Sequence, residues 1–202
     1  MKEKYTLKQI NEDTWRIREN VGAGVFMFLL AGEDKALLID NGYGTLDLKS
    51  VAKELCGGKE LLSCVTHGHI DHALGSPQLE TVYCHSADFA LYEETLAGDE
   101  WRTVMAKAGQ PVSGEVPNRL LPLESVDALD LGGRTVRWFP VPGHTAGSVV
   151  FYDEKYNVIF DGDSAPNMAW LFLEESRPLV EYAESLKRYI AFMKERGIEK
   201  RY

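Results

Sequence analysis

Between Thr66 and His72 the chain reads Thr-His-Gly-His-Ile-Asp-His, which sets three imidazoles and a carboxylate inside six consecutive positions. A lone His-x-His pair at a strand end is compatible with an exposed polar turn. Adding Asp71 and His72 changes the reading, because neutral imidazole and carboxylate together are the ligand set of zinc, iron and manganese. A metal centre also needs ligands from separate segments, so the fold must carry further side chains of these kinds to this run.

The pattern of elements supplies such segments. Short strands are predicted over Tyr5 to Ile10, Thr14 to Arg18, Val25 to Leu30 and Ala36 to Ile39, with Gly, Asn and Asp in the gaps, as an antiparallel meander. Thr45 is placed as the N-cap of a helix whose apolar positions are Leu46, Leu48, Val51, Ala52 and Leu55, ended by Cys56-Gly57-Gly58. Leu61 to Thr66 is a compact apolar strand that delivers the chain into His67, so the histidines sit on a loop after a buried strand. A strand over Thr81 to Cys84 precedes a helix from about Ser86 to Leu96 and a second helical piece over Asp99 to Ala108. Past the Gly- and Pro-containing stretch Gly109 to Pro117, strands are predicted near Arg119 to Leu121, Ala128 to Leu131, Thr135 to Pro140, Ser148 to Tyr152 and Val158 to Phe160. A last helix starts at Pro178 and keeps the 3.6-residue period through Leu179, Tyr182, Ala183, Leu186, Ile190 and Met193, with Gly197 after it. Strands then helix, twice over, predict two β-sheets packed face to face with helices outside, one domain over residues 1–202.

Composition excludes several classes of function. The 22 Lys and Arg against 31 Asp and Glu give a formal charge of -9, a field that repels nucleic acid and anionic lipid surfaces. The longest apolar stretch, Val21 to Ala31, is broken by Gly22 and Gly24 and reads as a buried strand, too short to span a membrane. Cys56, Cys64 and Cys84 are an odd set without a Cys-x-x-Cys pair and read as buried reduced thiols. With no secretory signal pattern after Met1, a cytoplasmic protein acting on a small molecule is expected. Nothing in the sequence sets the oligomeric state.

Two more segments share the chemistry. His144 lies in Val-Pro-Gly-His-Thr-Ala-Gly-Ser (Val141 to Ser148), a glycine-containing loop after a strand. Phe160-Asp161-Gly162-Asp163-Ser164 ends an apolar strand on two aspartates, which by themselves are ordinary turn residues. Taken together, THGHIDH, PGHTAGS and FDGDS, each after a strand, with LLIDNGYG at Leu37 to Gly44, resemble the successive metal loops of the metallo-β-lactamase-fold hydrolases over essentially the whole chain. The resemblance implies an α+β fold, an αββα sandwich with the site at one edge. It implies His67, His69 and His144 at a first divalent metal, Asp71 and His72 at a second, and Asp163 bridging, with zinc expected and iron or manganese compatible. Asp40 would orient the metal loop by a hydrogen bond, or is a turn aspartate before Asn41-Gly42.

The sequence departs from the family at one point. A further histidine after the last helix is expected at the second metal, but the chain ends Gly-Ile-Glu-Lys-Arg-Tyr, and the remaining histidine, His85, reads as a polar residue at a strand end. Either the chain is truncated before that histidine, or the second site is incomplete and weak. The implied chemistry is metal-activated water cleaving a small ester, thioester or lactone, with Asp71 as the group that orients or deprotonates the water. No serine or cysteine stands in a nucleophile pattern. The resemblance includes the hydroxyacylglutathione hydrolases (glyoxalase II), whose additional glutathione-gripping helical segment has no counterpart here. Trp101, Trp170 and Phe172 are candidates to line the substrate pocket, or plain core. The same fold also hosts mononuclear iron persulfide dioxygenases, and an inactive metal-binding scaffold is a third reading.

Overall fold

Alternation along the strands decides the layering, because successive side chains of a strand point to opposite faces. The computed structural model describes residues 4–22, 24–107, 119–166 and 169–202, without the side chains of 100, 101, 104 and 105. Among these residues the order is β1 (Tyr5–Asn11), β2 (Thr14–Glu19), β3 (Val25–Ala31), β4 (Lys35–Ile39), α1 (Leu48–Leu55), β5 (Glu60–Cys64), α2 (Ile70–Ala73), β6 (Thr81–Cys84), α3 (Phe89–Ala97), α4 (Asp99–Lys107), β7 (Arg119–Pro122), β8 (Ala128–Asp130), β9 (Thr135–Pro140), β10 (Val149–Asp153), β11 (Val158–Phe160), α5 (Leu179–Arg196) and β12 (Lys200–Arg201).

One sheet runs β1-β2-β3-β4-β5-β6-β7 and the other β12-β11-β10-β9-β8. The first begins as the expected antiparallel meander and turns parallel from β4 onward. A parallel partner needs a crossover, and α1 supplies it between β4 and β5. On β3 and β4, Phe28, Leu30, Leu37 and Ile39 face the second sheet, where Val149, Phe151, Val158 and Phe160 meet them. The intervening residues Met27, Leu29, Ala36 and Leu38 face Leu48 and Ala52 of α1 and Tyr92 and Leu96 of α3. Val150, Tyr152 and Ile159 turn the other way, onto Tyr189 of α5. The result is the expected αββα order of layers.

Several local expectations are corrected. Thr45 does not cap α1: Asp47 does, its Oδ1 accepting from the Ser50 amide at 3.2 Å, while Thr45 is held by the buried carboxylate of Glu19. Only Val25 to Ala31 of the Val21 to Ala31 stretch is strand. Ser86–Asp88 is a 3-10 turn before α3, the single-turn α2 lies inside the histidine run, and β12 was not foreseen. The stretch Gly109 to Pro117 and Ala108 lie outside the described residues.

Arg134 fastens the two sheets at the end away from the strand ends that carry the histidines. It follows Gly132 (φ 79°) and Gly133 (φ 65°), a pair of left-handed residues that the tight turn between β8 and β9 requires. Its fully buried guanidinium donates to Asp153 Oδ2 and Thr14 Oγ1, both at 2.7 Å, and to the Asp13 and Ala31 carbonyls. Breaking such a pair strands a buried charge, so Arg134→Ala should cost about 3–5 kcal/mol in urea denaturation. Lys155→Ala, which removes the exposed ion pair to Asp13, should cost no more than about 1 kcal/mol in the same measurement.

Candidate metal centre

Four strands end at one edge of the sandwich, and each hands its next residues to the same place. Asp40 follows β4, Thr66 to His72 follow β5, His144 follows β9 and Asp163 follows β11. Thr66 O accepts from the Val149 amide at 2.9 Å, which pins the histidine run to the opposite sheet.

The four imidazoles share one arrangement: one ring nitrogen is tied to an outer partner and the other turns inward. His67 Nδ1 lies 3.1 Å from Thr66 Oγ1, His69 Nε2 lies 2.5 Å from Glu175 Oε1, His144 Nδ1 donates to the Trp170 carbonyl at 2.8 Å, and His72 Nδ1 lies 2.9 Å from Asp40 Oδ2. On the inner side, His69 Nδ1 and His144 Nε2 are 2.9 Å apart, and His67 Nε2 is buried without a hydrogen-bond partner. Donor atoms of His67, His69 and His144 lie within 4.8 Å of one another, as do those of His67, His72 and Asp163. Asp71 joins the second group less tightly, with Oδ2 3.6 Å from His72 Nε2, and Asp163 lies 3.5 Å from His144 Nε2.

The electrostatics separate the rings. Burial, then the neighbouring imidazoles, push His67 well below its ordinary pKa, so it is neutral. Burial also lowers His144, against the pull of the Trp170 carbonyl and Asp163. For His72, burial acts the same way but is overridden by Asp40, Asp71 and Asp163, which hold the ring up to about 10. Tyr43, on the cavity wall, is pushed up to about 12 by burial and by the charges of Asp71, Glu19 and Asp163, so its phenol stays protonated.

Asp40 is buried with φ 62°, a left-handed conformation uncommon for a residue with a side chain and tolerated best by Asp and Asn. From it the carboxylate reaches the Thr66 amide at 2.7 Å, the Thr66 hydroxyl and the His72 ring. Two functional residues escaped sequence reasoning. Asp88, at the start of α3, accepts from the Gly68 amide (3.0 Å), the Thr145 hydroxyl (2.7 Å) and the Gly147 amide (2.6 Å), and so joins the His67 loop to the His144 loop. A Cβ at Gly147 would fall 2.6 Å from the Asp88 carboxyl carbon, so glycine is needed there. Glu175 backs His69 from an irregular segment before α5. Asp88 fell inside the helix expected from about Ser86, and Glu175 carried no pattern at all.

The remaining candidates are placed as follows. Trp170 lines the large cavity, but Phe172 does not: it is 75% exposed and packs against the Trp170 ring. The side chain of Trp101 lies outside the described residues. Asp161 points into the fold, held by Tyr189 and Arg201, and His85 sits apart, 3.5 Å from Glu124.

These residues fit a divalent metal. A buried, neutral, unpartnered imidazole nitrogen costs free energy unless something accepts its lone pair. Two further ring nitrogens converge on the same point, and their outer hydrogen bonds are the supports that metal-bound histidines use.

The family model of the metallo-beta-lactamase superfamily matches residues 21–194, and the chain belongs to that superfamily. It is 26% identical over 186 residues to acyl-coenzyme A thioesterase MBLAC2 of Gallus gallus and 27% identical over 188 residues to that of Homo sapiens. These alignments cover 74% of this chain and 65% and 66% of those proteins, so the chain spans just under two thirds of these relatives' length. Among solved structures, a metallo-beta-lactamase from Pontibacter korlensis superposes with a TM-score of 0.69 at 14% identity, covering 98% of this chain and 90% of that one. DIM-1 metallo-beta-lactamase gives 0.66 at 16%, covering 98% and 89%. Both likenesses bear on the fold, which is the one the sequence motifs implied. Among the described residues no helix is long and apolar enough to cross a membrane.

If Asp88 holds the two loops in register, Asp88→Asn should weaken zinc binding about 10–100-fold in chelator competition. Glu124→Gln, which alters an exposed carboxylate beside His85 that touches none of the metal-site residues, should leave that affinity within about twofold.

Proposed function

We propose that the chain is a divalent-metal-dependent hydrolase of a small carboxylic ester, thioester or lactone. The observation that carries the reading is the set of inward-turned imidazole nitrogens, two of whose rings, His69 and His144, line a cavity of about 1220 Å³ together with Asp71 and Asp163. In this reading His67, His69 and His144 hold one ion, zinc first among the metals that suit imidazole, while His72, Asp71 and Asp163 form a weaker second set with a single imidazole. The ion supplies Lewis acidity, which in zinc sites brings a water's pKa to about 7 and stabilises an oxyanion.

The chain's own groups do the rest. Asp71, half-exposed on the cavity wall, accepts the proton of the attacking water at its carboxylate. As the water oxygen bonds to the carbonyl carbon, the bond to the leaving alcohol or thiol breaks, and Asp71 returns the proton to that leaving group. Tyr43 is a neutral donor on the same wall. The names of the MBLAC2 relatives make an acyl thioester the first substrate to test. Cys56, Cys64 and Cys84 are free and buried, which supports a reducing compartment such as the cytoplasm.

Thioester hydrolysis should vanish on chelation and return with zinc. His67→Ala should lower kcat/KM by at least about a thousandfold, the equivalent of about 4 kcal/mol. An active chelated sample, or a His67→Ala variant with full activity, would remove the proposal. Elemental analysis after dialysis should find one equivalent of metal; two retained equivalents would contradict the weak second set.

A further inference from the structure

We infer that the cavity selects substrates whose leaving group is uncharged or cationic and disfavours polyanionic, phosphate-bearing thiols, an inference that rests on the hydrolase reading above. The cavity has an apolar wall, formed by Ile70, Leu91, Trp170 and Leu173, that suits an acyl chain. Its charge is one-sided. Glu94 on α3 and Glu174 before α5 line it in addition to the carboxylates beside the histidines, and both are exposed.

Against them, Arg177 is the one Lys or Arg among the described lining residues. Its guanidinium already donates to Glu181 Oε2, at 2.9 Å from Nε and 2.8 Å from Nη2. Residues 108–118 and 167–168 contain no Lys or Arg either. A divalent ion offsets Asp71 and Asp163 but leaves Glu94 and Glu174 facing the substrate. The whole chain adds a field of the same sign, from its formal charge of -9.

A second observation favours cations independently of the carboxylates. Trp170, 53% exposed on the cavity wall, packs against Phe172 with ring centroids 5.4 Å apart. Indole faces attract ammonium groups, and the attraction strengthens where carboxylates stand nearby. A phosphate-bearing leaving group meets repulsion here, and among the described lining residues the one basic side chain, Arg177, is already paired with Glu181.

The test uses the full zinc-loaded chain and three thioesters of one butanoyl group, with thiocholine, N-acetylcysteamine or coenzyme A as the leaving thiol. In each, water's oxygen bonds to the carbonyl carbon, the C–S bond breaks, and the thiol and the carboxylate leave, with one proton released. At low salt kcat/KM should be highest for the thiocholine ester and lowest for the coenzyme A ester, by at least about tenfold. The gap should narrow as ionic strength rises from about 0.02 M to about 0.5 M, since the screening length shortens severalfold. It should narrow as well in the Glu94→Lys, Glu174→Lys double variant. A coenzyme A ester cleaved as well as the others at low salt overturns the inference, as does a gap unmoved by both salt and charge reversal. If none of the three esters is cleaved, the thioester branch of the hydrolase reading fails, and this inference with it.

Discussion

Imidazoles packed side by side in a protein interior gain nothing from one another's charge, so their orientation must come from partners on the nitrogens that face away. In this chain the outer bonds come from Thr66, Glu175, the Trp170 carbonyl and Asp40, one for each ring. Every other property of the centre follows from them. They decide which nitrogen of each ring turns inward, and they leave His67 Nε2 buried with its lone pair uncommitted. Asp40 accepts a left-handed backbone to make its bonds, a strain of about 1–3 kcal/mol that three hydrogen bonds offset.

The sandwich keeps those bonds in place by two fastenings at opposite ends. At the open edge Asp88 draws the His67 and His144 loops together across the two sheets, through two backbone amides and a hydroxyl. At the far edge Arg134 ties β2 and β3 to β10 in a fully buried network. Between them the interleaved side chains of β3, β4, β10 and β11 fill the space between the sheets. A close-packed interior transmits displacement, so a shift of one sheet along the other would appear as misplaced donors at the edge.

How much of this the sequence held depends on the range of each interaction. The strands and helices were legible because period-2 and period-3.6 patterns are local, and the layer order followed from strands and helix repeating twice. The run from Thr66 to His72, His144 and Asp163 were legible because each follows an apolar strand that must end at a sheet edge. Thr45 misled because a hydroxyl before an apolar period is the usual signature of a helix start; here a buried carboxylate 26 residues earlier, Glu19, claims it. Asp88 and Glu175 were invisible for the same reason, since their partners lie 57 and 106 residues away, at Thr145 and His69. Phe172 misled in another way: its apolar neighbourhood spoke of burial, while in the fold it lies 75% exposed against the Trp170 ring.

The distribution of carboxylates shows which of them the centre needs. Asp40 and Asp88 are buried and saturated with hydrogen bonds, so they serve the loops and offer little to an incoming molecule. Asp71 and Asp163 face the imidazoles, where a dication would be balanced by them and by the neutral rings. Glu175 is spent on His69, and its carboxyl stays below the usual range despite burial because its own backbone amide and that ring donate to it. Glu94 and Glu174 do none of these things. Among the described residues they bind no loop and back no histidine, yet they border the same cavity, and charges placed there act on whatever enters it. The centre could hold its metal without them, so their sign bears on the substrate's charge and on how fast it arrives.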